Sequence, residues 1–90
     1  MSFKPDFSKK FSIGLSKIEK GEPSRIHQIQ LIIKKILDNP FDKSLHLKKL
    51  QGRKNAYVCK IGIKYRLEME IIIKEEVVRF IKIDRRENFY

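Results

Sequence analysis

One cysteine, Cys59, is all the sequence offers, so no intramolecular disulfide can form and no thiolate set for a structural zinc exists. Nor is there an apolar run long enough to span a membrane. No amino-terminal pattern of positive charge, apolar block and small residues marks a secretory signal. These absences predict a cytoplasmic protein with no membrane partner. No internal repeat or low-complexity tract is visible, so solenoid and linker architectures are not expected. Acidic residues are scarce: eleven Asp and Glu face twenty-one Lys and Arg, giving a formal charge of +10 and a pI near 9.9. Polyanions are the natural partners of such a chain, nucleic acid before an acidic protein. Ninety residues leave room for one domain, 1–90, and one modest core, so any site must lie on the surface or in a shallow groove.

Phe3, Pro5 and Phe7 alternate with Lys4, Asp6 and Ser8, predicting a short strand that Pro5 confines to a sheet edge. Ser8 can cap a helix whose apolar stripe is Phe11, Leu15 and Ile18, with Gly21 ending it in the left-handed conformation. Ser24 is the next cap candidate, ahead of a second amphipathic face (Ile26, Ile29, Ile33, Ile36, Leu37) that Asn39-Pro40 stops. Residues 41–55, with the basic run "LKKLQGRKN", read as a loop. The period then changes to two around Tyr57, Cys59 and Ile61, a turn follows at Gly62, and "KYRLEMEIII" and "EVVRFIKI" supply two further strands. Three successive strands without intervening helices pair as an antiparallel meander. The expected fold is α+β: an amino-terminal strand and a helical hairpin packed on that meander.

Alternation assigns faces. Tyr65, Leu67, Met69, Ile71 and Ile73 share the core side of one strand, leaving Arg66, Glu68 and Glu70 on an open face. Cys59 and Ile61 inward turn Lys60 outward; Ile81 and Ile83 inward turn Lys82 outward and bring Arg86 round. Lys60, Arg66, Lys82 and Arg86 would then form one cationic patch with Glu68 and Glu70 inside it. An ordinary solvated sheet face with charges paired across strands would show the same pattern. The excess of positive charge and the tail "DRRENFY", which places Arg85, Arg86, Phe89 and Tyr90 together, favour a site.

Lys49-Leu50-Gln51-Gly52, Tyr57, Ile61-Gly62, Tyr65-Arg66, Arg86 and Tyr90 stand in an order and spacing that resembles the carboxy-terminal half of the RelE/ParE superfamily of toxins from bacterial and archaeal toxin–antitoxin pairs. The resemblance implies the RelE-like microbial RNase fold. It implies metal-independent cleavage of messenger RNA on the ribosome in the RelE branch, or inhibition of DNA gyrase in the ParE branch; the alternative to both is an inactive member that serves only as a folded binding partner in a complex with its antitoxin. The partners implied are a cognate antitoxin, mRNA and ribosomal RNA, with DNA reached only through the antitoxin. The family's strand lysine falls on Lys60, its Tyr-Arg arginine on Arg66, its late arginine on Arg86 and its closing tyrosine on Tyr90. Val58 stands where some members carry a second lysine, and Arg85 where a histidine often precedes the late arginine. The general base and acid are therefore open.

RNA carries its own nucleophile, so a nuclease of this kind needs no cofactor and no metal: it must take the 2′-hydroxyl proton, stabilise charge on phosphorus and protonate the leaving oxygen. Arg66 and Arg86 suit the second task, because a guanidinium fork can bond two phosphate oxygens at once. Tyr90 is one candidate base if neighbouring cations favour its phenolate, and Glu68 or Glu70 is the other. Lys48, Lys49, Arg53, Lys54, Lys82 and Arg85 are the expected contacts to RNA phosphates. His27 and His46 read as surface residues and Cys59 as a buried small one.

Overall fold

A computed structural model describes residues 2–89. Its elements are strand β1 (Lys4–Phe7), helix α1 (Lys9–Gly21), helix α2 (Ile26–Asp38), and strands β2 (Lys48–Lys49), β3 (Ala56–Ile61), β4 (Tyr65–Ile72) and β5 (Val77–Arg85). Short 3-10 turns at Pro23–Arg25, Lys43–Leu45 and Arg86–Phe89 complete the order. The sheet runs β1-β5-β4-β3-β2. Strands β3 to β5 form the expected antiparallel meander, β2 adds to it antiparallel to β3, and β1 joins at the other edge parallel to β5, with Pro5 beside Val78. An edge suits Pro5, which has no amide hydrogen for a second neighbour.

The two helices cover one face of this sheet, α1 against β5 and α2 against β3. Phe11 and Ile18 of α1 and Ile29 and Ile36 of α2 are buried against Cys59, Leu67, Met69, Ile71, Val78, Phe80 and Ile83. Phe7 stacks on both Phe11 and Phe80, ring centroids 5.4 and 5.3 Å apart, so the aromatic residues of β1 and α1 meet over the middle of β5. Close approach of α1 to β5 depends on Gly14: a Cβ there would overlap the carbonyl oxygen of Ile83.

Several local expectations need correcting. Gly21 is not left-handed; α1 ends at Gly21 and is capped by Glu22, whose φ of −140° breaks the spiral while its N–H still bonds to the Ile18 carbonyl. Ser24 caps nothing, because Pro23 opens a 3-10 turn that runs straight into α2, where Arg25 precedes the helix without a side-chain cap. Residues 41–55 are not all loop: Lys48 and Lys49 pair with Val58 and Tyr57, a strand too short to show a period. Ile73 lies beyond the end of β4 and is 63% exposed.

Ile81 is the largest departure. Glu68 pairs with Lys82 but Met69 pairs with Phe80, so Ile81 is the extra residue of a β-bulge. The bulge resets the alternation, which lets Phe80 and Ile83 both enter the core while Ile81 stays half-buried. Ser8 holds it in place. Its hydroxyl donates to the Ile81 carbonyl at 2.6 Å and accepts the Phe11 amide at 3.0 Å, so one side chain caps α1 and satisfies the bulge. Gly62, with φ +63°, makes the expected turn between β3 and β4.

Candidate nucleic-acid interface

On the sheet face away from the helices, side chains line up in rows set by the register. Lys48, Val58, Glu68 and Lys82 form one row across β2 to β5, and Lys60, Arg66 and Asp84 form the next. This face is not open in the simple sense expected from alternation: Arg66 and Glu68 retain only 7% and 8% of their exposure. Residues 44–51 rise along one side and the turn Arg86–Phe89 along the other. Between them lies a groove of about 930 Å³ that Lys60, Arg66 and Arg86 share with His46, Lys48, Lys49, Val58 and Phe89.

The carboxylates expected inside the patch are withdrawn from it. Glu68 is ion-paired with Arg53, and Glu70 is bonded at 3.0 Å to Arg79, which also holds Asp6 at 2.9 Å. Asp6 and Glu70 raise the Arg79 pKa further above the usual guanidinium range. Among the described residues no Asp or Glu lines the groove, and none of the ion pairs involves Lys60, Arg66 or Arg86. Arg66 spends one N–H on the Tyr65 carbonyl at 3.4 Å. No buried side-chain nitrogen or oxygen among the described residues lacks a partner, and Arg66 lines the groove.

The tail is folded against β5. Arg86 donates its amide to the Lys64 carbonyl at 2.7 Å, pinning the start of the last turn to the β3–β4 hairpin. Lys82 donates to the Asn88 carbonyl at 3.0 Å and sits 4.4 Å from the centre of the Phe89 ring, a cation–π contact. Asp84 accepts from the Asn88 side chain at 2.9 Å and from the Arg85 amide at 2.7 Å. Burial opposes its ionisation, but these bonds together with the charges of Lys82 and Lys17 outweigh that and hold its pKa below the usual carboxylate range.

Of the residues singled out from the sequence, Lys60, Arg66, Arg86, Lys48 and Lys49 are brought together in the groove. Arg53 is turned onto Glu68, Lys82 is committed to the tail, and Lys54 lies exposed outside the groove lining. Arg85 pairs across the strands with Tyr65 and lines a separate cavity of about 560 Å³ beside α1. Tyr90 lies outside the described residues. His46, read from the sequence as a surface residue of the basic loop with RNA contact as the lesser alternative, sits on the groove with φ +50°. Among the described residues, no group of three or more His, Cys, Asp or Glu is arranged to hold a metal ion.

No protein-family model matches the sequence, and no curated protein matches it by sequence. Solved structures do match. The isolated E. coli RelE toxin superposes with a TM-score of 0.75 at 21% identity over 93% of this chain and 84% of its own. A chain of the RelB–RelE antitoxin–toxin complex from Methanococcus jannaschii gives 0.75 at 24% identity, with 94% of each chain covered. A chain of the E. coli DinJ–YafQ complex gives 0.83 at 12% identity over 98% of both. The chain has the RelE fold. Within the RelE fold, β3, β4 and the segment after β5 are the parts that place Lys60, Arg66 and Arg86 on one groove here.

Proposed function

We propose that the chain is the toxin of a toxin–antitoxin pair and acts at the ribosome as a metal-independent endoribonuclease on messenger RNA. The observation that supports this reading is the convergence of Lys60, Arg66 and Arg86 on one groove whose described lining contains no carboxylate. A phosphodiester drawn into that groove meets two planar donors and an ammonium. Arg66, fixed on β4, and Arg86, pinned by its amide to Lys64, bond the non-bridging oxygens as negative charge grows on phosphorus. Lys60, directly across the β3–β4 ladder from Arg66, adds a charge beside the same phosphate. Lys48 and Lys49 hold the flanking backbone with little base preference. The 2′-hydroxyl of the bound strand is the nucleophile, and the groove's task is to orient it in line with the leaving 5′-oxygen. Because an uncovered groove of this charge would bind RNA indiscriminately, a partner that covers it is the natural control. The solved complexes with the same fold contain antitoxins, and a cognate antitoxin is the partner we assign.

The test is induction of the free protein in cells with mapping of mRNA 5′ ends, wild type beside Arg86→Ala. Cuts within translated regions that fall by about 10²–10³ in rate in the variant are expected. Growth arrest with intact messages and inhibited supercoiling by purified gyrase would replace the nuclease reading with a gyrase-directed one.

A further inference from the structure

We propose that His46 is the base that takes the 2′-hydroxyl proton in this groove, an assignment that rests on the nuclease reading above. Among the described residues, the competing groups are engaged elsewhere. Glu68 is paired with Arg53 and Glu70 with Arg79, and neither lines the groove. Tyr57 stands edge-on to Phe41, ring centroids 6.2 Å apart, and the Tyr65 hydroxyl donates to Glu22 at 2.8 Å on the helix side of the sheet. Val58, next to Lys60 on the groove wall, has no titratable group. Among the described residues lining the groove, His46 carries the one imidazole, the side chain that most often serves as a general base.

Its placement is built from both sides. Leu45 is buried in the core, and its carbonyl faces the Cys59 thiol at 3.7 Å. The His46 amide bonds to the Lys43 carbonyl at 3.1 Å. The backbone at His46 is left-handed, φ 50° and ψ 48°, a conformation that histidine and asparagine adopt more readily than most side chains. That reversal ends the turn and starts the chain toward β2, leaving the imidazole at the groove. Among the described residues, the charged side chains lining the groove beside it are all cationic: Lys48 and Lys49 of β2, Lys60 of β3, Arg66 of β4 and Arg86 of the tail. They hold phosphate and leave proton acceptance to the imidazole.

In the step assigned, a neutral imidazole nitrogen accepts the hydroxyl proton as the 2′-oxygen bonds to phosphorus. The bond from phosphorus to the 5′-oxygen breaks, and that oxygen takes a proton from the Lys60 ammonium. The products are a 2′,3′-cyclic phosphate and a 5′-hydroxyl, and water restores the proton to Lys60 and removes it from His46.

The experiment is single-turnover cleavage of mRNA on programmed ribosomes by wild type, His46→Asn and His46→Gln across about pH 5 to 8, with thermal melts and ribosome co-sedimentation on the same samples. Both variants should lose about 10²-fold or more in rate, lose the acidic limb of the pH profile, and still fold and bind ribosomes. Cleavage at the wild-type rate with an unchanged profile in either variant would overturn the assignment, as would a loss of rate explained by lost ribosome binding. A wild type that never cuts defeats the nuclease reading itself, a failure distinct from a wild type that cuts and a His46 variant that cuts equally well.

Discussion

Replacing Gly14 with alanine sets two effects of known sign against each other. Gly14 lies inside α1, where alanine is ordinarily better than glycine by about 1 kcal/mol. Yet the added methyl would overlap the Ile83 carbonyl oxygen and lie 3.2 Å from Ile83 Cγ2. The carbonyl is strand backbone, so no rotamer change relieves the overlap; α1 must move off β5. Overpacking of this kind costs about 1–3 kcal/mol, toward the upper end when backbone meets backbone, and the net loss should be about 1–2 kcal/mol. For a domain of this size that lowers Tm by roughly 5–15 °C. Moving α1 also strains the Ser8 bonds that hold the bulge at Ile81, and the bulge sets the facing of Lys82 and the chain leading to Arg86. Thermal and urea melts by circular dichroism measure the effect, with Gly21→Ala, which meets nothing within 4 Å, as the control. A Gly14→Ala protein that melts at or above the wild type would refute the close approach of α1 to β5.

Ser8→Ala should cost about 1–2 kcal/mol, because it removes a helix cap and leaves the Ile81 carbonyl without its donor; a urea midpoint equal to wild type would count against the dual role. Arg53→Ala should cost about 1 kcal/mol, discounted because the Arg53 side chain is 48% exposed although Glu68 is only 11% exposed. A double-mutant cycle with Glu68→Gln should return most of that as coupling, and a coupling near zero would remove the pair from the account. On acidification, Asp84 matters for stability, as do Glu22, lowered first by its Tyr65 hydrogen bond and then by Lys64, and Asp42, lowered by Ser44. Each has a folded pKa below its unfolded value, so the stability it contributes is present above about pH 4 and is lost as pH falls through the folded pKa. Unfolding free energy should be flat from neutral pH to about 5 and decline below 4; a decline beginning near pH 6 would assign the loss to other groups.

Much of this molecule was legible before its structure. Apolar spacing of three and four residues marked both helices, alternation marked β3 and β4, and Ser8 and Gly62 announced a cap and a turn, because each of these features is decided within a few residues. Alternation put Lys60 and Arg66 on the same sheet face and brought Arg86 round to it, and these three do line one groove. What lay beyond reach was decided between segments distant in sequence. The bulge at Ile81 is bonded through its carbonyl to the hydroxyl of Ser8, seventy-three positions away. The withdrawal of Glu68 and Glu70 depends on Arg53 and Arg79, and alternation can say which face a carboxylate occupies but not which cation reaches it first. Residues 44–51 and the tail form the groove walls only after the sheet has brought them together, so His46, an isolated surface histidine in the sequence, gains neighbours that no local pattern contains. Periodicity and composition determined the elements and the charge; tertiary contact decided which charges remain free, because that outcome depends on pairings the chain can make only once folded.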